Sequence, residues 1–204
     1  MSLKHAILGF LSYKPFSGYD LKKAFDTSVQ HFWPANQSQI YRTLSGMTED
    51  GYVEMEVIER EDRLDKKIYH ITEEGEAELH RWLSTPLPPQ DTREADLIQF
   101  YFSGQLTDAE VNRLLENHLE QSAARLAVYR QMMSTFAVQM DEHPDQRAFF
   151  FNVLTLEYGL LGEQFMQEWL KSIRKRISEK DYSFRIMNTS NMLENKISGE
   201  KNNE

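Results

Sequence analysis

Residues 33–59, WPANQSQIYRTLSGMTEDGYVEMEVIE, run from a proline through an amide-rich turn to a glycine and then an alternating stretch. Asn36 is a good helix N-cap, and Gln39 stands three residues on to return the hydrogen bond. Ile40, Leu44 and Met47 recur at i, i+4 and i+7, the spacing of one buried helix face. At about 100° per residue the opposite face centres on Ser38, Arg42 and Ser45, flanked by Gln39 and Tyr41, while Gln37 turns partly toward the core. The acids Glu49 and Asp50 come only at the far end, and Gly51 stops the helix. Beyond it Val53, Met55 and Val57 alternate with Glu54 and Glu56, which predicts a half-buried strand. A half-core helix with an acid-free polar start, followed by a strand, is suited to reading base edges or phosphates.

Working outward, LKHAILGFLS places Leu3, Ala6, Ile7, Phe10 and Leu11 at helical spacing, and Pro15 ends that helix. Ser17 caps a second helix carrying Leu21, Ala24, Phe25 and Val29, which Pro34 limits. After the strand, REDRLDKK reads as a charged turn into a second strand, IYHIT, with Tyr69 and Ile71 on one face. Thr72 caps EEGEAELHRWL, whose apolar positions are Ala77, Leu79, Trp82 and Leu83. STPLPPQD, with Pro86, Pro88 and Pro89, is a stiff linker. The domains expected are therefore a winged helix–turn–helix unit at 1–85, a linker at 86–91, a helical unit at 92–177 and a polar, flexible tail at 178–204.

The second unit is wholly helical in pattern. A short helix, DTREADLIQFYF, ends at Gly104, and Thr107 caps a long one. Its stripe runs through Val111, Leu114, Leu115, Leu119, Leu126, Tyr129, Met133, Phe136 and Met140. The chain turns at His143-Pro144 into a second long helix, Phe149 to Ile177, with Phe150, Leu154, Tyr158, Leu161, Phe165, Trp169 and Ile173 on a broad apolar face. Each spans about 45 Å at the standard rise. A lone antiparallel, coiled-coil-like hairpin of this kind leaves much apolar surface wet, so a homodimer through these helices is predicted. The fold class is mainly α with a small β-hairpin: a winged helix–turn–helix, then a long-helix antiparallel dimerisation domain.

Composition narrows the function. The chain has 204 residues, no cysteine and a formal charge of −9. Disulfides, thiolate nucleophiles and zinc–cysteine sites are excluded, and a reducing, cytoplasmic location is expected, with no membrane segment or secretory signal. Residues 1–80 hold nine Lys/Arg against fourteen Asp/Glu. Indiscriminate polyanion binding does not fit that balance, so any nucleic-acid contact must come from a local patch. The six histidines form no ligand spacing, His118 reads as a polar residue of the dimer seam, and no phosphate loop or Ser/His/Asp set is present. Neither a metal, a cofactor nor an enzyme is expected.

LKHAILGFLS, SGYDLKKAF, FWPANQSQIYRTLSGMTEDGYVE and DKKIYHITEEGEAEL, in this order and spacing, resemble the PadR family of transcriptional regulators, and the C-terminal part resembles its virulence-activator type. The resemblance implies a cytoplasmic, homodimeric regulator, most often a repressor, bound to double-stranded DNA at an inverted-repeat operator. It implies base-edge contacts from Gln37, Ser38, Gln39, Tyr41 and Arg42, and phosphate contacts from Tyr19, Lys22, Arg63, Lys66 and Lys67. The wing departs from a strongly basic pattern, since Glu59, Glu61, Asp62 and Asp65 surround its cations. Some members sense phenolic acids, so the aromatic-rich helices leave room for a small aromatic effector. The alternative is a winged-helix module for protein–protein assembly without DNA, motivated by the acidity of residues 1–80.

Overall fold

The computed structural model describes residues 2–59, 65–89, 91–139 and 144–183. The chain divides into two compact units, residues 1–92 and 93–204. The first runs α1 (Ser2–Tyr13), β1 (Phe16–Ser17), α2 (Gly18–Thr27), α3 (Gln37–Glu49), β2 (Val53–Ile58), β3 (Lys66–Ile71) and α4 (Glu73–Ser84). Its core is the convergence of the apolar faces read from the sequence: Ile7, Leu8 and Leu11 of α1, Leu21 and Phe25 of α2, and Ile40, Leu44 and Met47 of α3. Val53 and Tyr69 add the sheet's inner face.

Local chemistry sets the boundaries. The Ser17 hydroxyl oxygen accepts the Asp20 N–H and starts α2, and Thr72 does the same for Gly75 at α4. At the end of α3, the Tyr52 N–H donates to the Met47 carbonyl at 2.9 Å and the Gly51 N–H to that of Thr48 at 3.2 Å. This is a Schellman stop, and it needs the left-handed backbone of Gly51, φ 77°. The turn releases the chain directly into β2.

The sheet has three strands in the order β1-β3-β2, all antiparallel, where a hairpin alone was expected. Phe16 pairs with Tyr69 and Ser17 with Ile68. Lys66 and Lys67 belong to β3 instead of the charged turn, opposite Ile58 and Val57. The half-buried reading of β2 holds only at Val53: Met55 is 40% and Val57 47% exposed. On α4 the inward positions are Gly75, Glu78, Leu79 and Trp82, while Ala77 and Leu83 face water.

The second unit holds α5 (Ala95–Phe102), a 3₁₀ turn (Ser103–Gln105), α6 (Asp108–Gln139) and α7 (Gln146–Ser178). Thr107 and Glu110 form a reciprocal cap at the start of α6. Arg174–Glu116, Arg125–Glu163 and the contact of Phe136 with Phe149 mark successive levels of an antiparallel α6–α7 hairpin. Between them the Tyr129 ring lies against Gly159, where a Cβ would come within 2.8 Å of its Cζ. Leu115, Ser122, Leu126, Phe149, Leu156 and Leu170 fill the seam.

The predicted stripe of α7 faces elsewhere. Trp169 and Ile173 pack near the open end, but Phe150, Leu154, Tyr158, Leu161 and Phe165 remain exposed in the single chain. His118 lies 15% exposed beneath α5, its ring 5.2 Å from that of Phe100 and its Nδ1 3.8 Å from Asp96. Met140, His143 and residues 184–204 of the tail lie outside the described residues. No described helix is long and apolar enough to cross a membrane.

Candidate nucleic-acid interface

The third helix begins on a complete capping box. The Gln39 N–H donates to Asn36 Oδ1 at 2.9 Å, and the Asn36 N–H donates to Gln39 Oε1 at 2.9 Å. The box satisfies two N–H groups and leaves the first turn's remaining donors, with the positive end of the helix dipole, directed outward. No acid stands in that turn. Ile40, Leu44 and Met47 are buried beneath it, which fixes the rotation of the helix.

That rotation exposes all five residues assigned to base edges: Gln37, Ser38, Gln39, Tyr41 and Arg42. Gln37 is not turned toward the core but is exposed, whereas Ala35, just before the N-cap, is buried. Gln39 is half committed, because its oxygen closes the capping box. Arg42 has no hydrogen-bond or ion-pair partner among the described residues, so its fork of five donors faces solvent. Tyr41 is 40% exposed, and its ring lies over Gly18 at the start of α2: a Cβ on Gly18 would sit 2.6 Å from Tyr41 Cζ. The beginnings of α2 and α3 are thereby locked together.

The backbone candidates fall into four groups. Tyr19 is exposed next to the Gly18–Tyr41 contact. Lys22 is paired with Asp26 one turn on, and Lys66 donates to Asp20 Oδ2 at 3.0 Å. Lys67 is exposed and has no partner among the described residues. Arg63, with Glu61 and Asp62, lies outside the described residues. The structure thus gathers Tyr19, Tyr41 and Lys66 around the first turn of α2, while Lys22 and Lys66 are already engaged by acids.

Asp20 is the residue whose position the sequence pattern understated. Its N–H donates to the capping Ser17 Oγ at 3.1 Å, and its carboxylate accepts the Ser17 hydroxyl at 2.7 Å and the Lys66 ammonium. The serine hydrogen bond, then the lysine, holds its carboxyl below the ordinary value of 3.8. Among the described residues no cluster of His, Asp and Glu is arranged to hold a metal ion. A shallow depression at the C-terminal end of α3 is lined by Thr48, Val53, Ile71 and Thr72 and rimmed by Glu54, Glu73 and Glu74. That rim disfavours anionic guests.

Three helices, a strand pair behind the third, and an outward-facing acid-free turn on that third helix define a winged helix–turn–helix. The chain belongs to the transcriptional regulator PadR-like family: the model of that family matches residues 7–81. The model described as virulence activator alpha C-term matches residues 92–178, the long-helix unit. The negative transcriptional regulator PadR of Bacillus subtilis strain 168 is 31% identical over 182 residues, covering 87% of this chain and 98% of that protein. The crystal structure of Bacillus subtilis PadR in complex with operator DNA matches with a TM-score of 0.76 at 31% identity, over 87% of this chain and 99% of that one. The same regulator in complex with p-coumaric acid matches with a TM-score of 0.74 at 29% identity, over 86% and 95%. The family is one of DNA-binding regulators and not an enzyme class.

Proposed function

We propose that this chain is an operator-specific repressor that works as a homodimer joined through α6 and α7, with α3 of each subunit in successive major grooves of an inverted repeat. The observation that carries the reading is the exposed, unpaired Arg42 on a helix whose rotation is fixed by three buried residues. Arg42 would bond guanine bidentately, and Gln37 with the free amide nitrogen of Gln39 would address neighbouring bases. Each good pair discriminates by about 1–3 kcal/mol. Ser38 and Tyr41 would complete the base-edge set, and Tyr19, Lys22, Arg63, Lys66 and Lys67 would supply backbone contacts.

Repression takes its support from the negative regulator of Bacillus subtilis, which is similar over nearly its whole length. The homodimer takes its support from the bare stripe of α7, Phe150 to Phe165, which a second copy would cover. An aromatic acid as effector rests on the p-coumaric acid complex of that same relative. A cytoplasmic setting accords with the absence of cysteine.

Selection from random duplex DNA tests the reading. One pseudo-palindrome should emerge, with half-sites one or two helical turns apart, and Arg42→Ala should relax one base position in each half-site. An unchanged selected sequence with Arg42→Ala removes Arg42 from base reading. A pool that never enriches refutes operator recognition, and recovery of a protein partner alone would leave an assembly module. Addition of p-coumarate should lower occupancy of the selected site, and unchanged occupancy would remove that class of effector.

A further inference from the structure

Backbone contacts attract a regulator to every stretch of DNA alike, because phosphates carry no sequence information. A lysine that contributes to such attraction is an asset at the operator and a liability elsewhere. Lys66 is such a residue, and the free protein already gives it an anion. Its ammonium donates to Asp20 Oδ2 at 3.0 Å, on the same oxygen that accepts the Ser17 hydroxyl at 2.7 Å. Both partners are partly open to solvent, Lys66 by 34% and Asp20 by 43%, so a competing anion can reach the pair. The cap of α2 does not require the lysine: the Asp20 N–H is held by Ser17 Oγ at 3.1 Å regardless.

The placement is specific. Asp20 stands in the first turn of α2 between the two phosphate candidates Tyr19 and Lys22. Two residues before it, Gly18 carries the Tyr41 ring from the start of α3. Lys66 opens β3, opposite Ile58 at the end of β2, so it belongs to the stem of the wing. The pair therefore ties the wing stem to the very turn that would face the backbone.

We propose that Asp20 is an intramolecular competitor of the DNA backbone for Lys66, a positioning residue that sets how strongly this regulator binds any DNA. In the free protein the carboxylate holds the ammonium. In the complex the ammonium turns to a phosphate, and Asp20 is left as an uncompensated negative charge beside the duplex. The resulting penalty is independent of base sequence, so it lowers operator and random binding by a common factor. This inference rests on the DNA-binding reading, with Lys66 as a backbone contact.

The test is Asp20→Asn in the full-length chain, which keeps an oxygen for the Ser17 hydroxyl while removing the charge. Fluorescence anisotropy on the selected operator and on a scrambled duplex should show both affinities rising, by similar factors of about five or more per dimer. The slope of log Kobs against log salt should steepen by up to about two per dimer, roughly 0.9 for each backbone charge no longer offset. Lys66→Met, which leaves the α2 cap untouched, should weaken both duplexes. In the double variant the gain from Asp20→Asn should vanish.

Unchanged or weaker binding by a folded Asp20→Asn protein overturns the proposal. So does a gain that persists undiminished beside Lys66→Met, since Asp20 would then act as a general repulsive charge. Should Asp20→Asn unfold, Lys66→Met still decides: equal affinity with and without that lysine leaves nothing for Asp20 to compete over. Failure of the parent protein to bind either duplex would sink the DNA-binding reading itself, before any substitution is compared.

Discussion

Replacing Gly18 by alanine separates the recognition surface from the fold that carries it. Gly18 is buried at the first position of α2, and its backbone does not lie in the left-handed region, so only the space above it requires glycine. That space is filled by the Tyr41 ring: the new methyl would stand 2.6 Å from Cζ and 3.0 Å from Cδ1. Carbon pairs prefer about 3.5–4.0 Å, so the ring must retreat by roughly an ångström. It can do so, because Tyr41 is 40% exposed, and on the proposed reading the displaced ring would disturb the face that α3 offers to DNA. The stability loss should therefore stay near the lower end of overpacking effects, about 1 kcal/mol, while operator affinity falls at least tenfold, about 1.4 kcal/mol. Gly75→Ala is the counterpart. Its Cβ would collide with the backbone carbonyl of Tyr52 and lie 2.9 Å from Ile71 Cγ1. A backbone cannot swing aside, so urea unfolding should show a larger loss, about 3 kcal/mol, from overpacking plus strain, with the selected sequence unchanged in whatever folds. Full operator affinity in Gly18→Ala would show that the Tyr41 ring has no part in binding. A double variant, Gly18→Ala with Tyr41→Ala, that regains none of the lost stability would show that the collision was not the cause.

Other consequences are simpler to state. Sedimentation at micromolar concentration should give about twice the 24.0 kDa chain mass, and Phe165→Glu with Tyr158→Glu should give the single chain; dimers surviving both changes would clear the α7 stripe of the role. Glu78, 8% exposed, receives Lys4 at 2.7 Å, His5 at 3.0 Å and Arg81, so Glu78→Ala should lower unfolding stability by about 3 kcal/mol. A loss under about 0.5 kcal/mol, the scale of a surface change, would mean that water already reaches the cluster. For Asp20 the folded pKa lies below 3.8, so its stabilisation is present above that value and is lost as pH falls through the lower folded value. The stability gap between the parent protein and Asp20→Asn should accordingly be wider at pH 5 than at pH 3, and a gap that does not narrow would deny the carboxylate its lowered pKa.

The sequence made the helices legible because caps and periodic faces are local. Ser17, Asn36, Thr72 and Thr107 each start a helix through bonds reaching three residues, and Gly51 ends one through its own φ. The buried face of α3 followed from spacing alone, and with it the outward face of Ser38 and Arg42. What spacing does not contain is the partner. Phe16 and Ser17 form a strand only because β3 lies beside them, and two residues show no period. Met55 and Val57 alternate as a half-buried strand should, yet both stay exposed in the single chain. On α7 the broad apolar face was read correctly as apolar, but it is the face left bare within the subunit; Phe149, Leu156 and Leu170 make the seam with α6. Glu78 escaped notice because a glutamate on a helix that already carries Glu73, Glu74 and Glu76 usually marks the wet side. Here Lys4, His5 and Trp82, which stacks on His5 at 4.5 Å, arrive from a distance of some seventy residues or from the next turn.

The acidity of residues 1–80 shows why a charge sum is a poor guide to an interface. Screening confines each exposed charge to about 8 Å at physiological salt, so placement matters more than totals. Much of the negative charge is spent locally. Asp26 neutralises Lys22, Glu56 meets His70 at 3.0 Å, Glu78 gathers Lys4 and Arg81, and Glu73, Glu74 and Glu76 complement the positive end of α4. None of these acids is on the first turn of α3, and Glu49 sits at its other end. Lysines held by acids bind phosphate weakly until the pair opens, whereas Arg42 is unencumbered. On the proposed reading, a surface built this way would draw little from indiscriminate attraction and would leave selection among DNA sites to base-edge contacts. In such a protein, removing Arg42 should reduce the ratio of operator to random affinity more than removing Lys22 or Lys66 does.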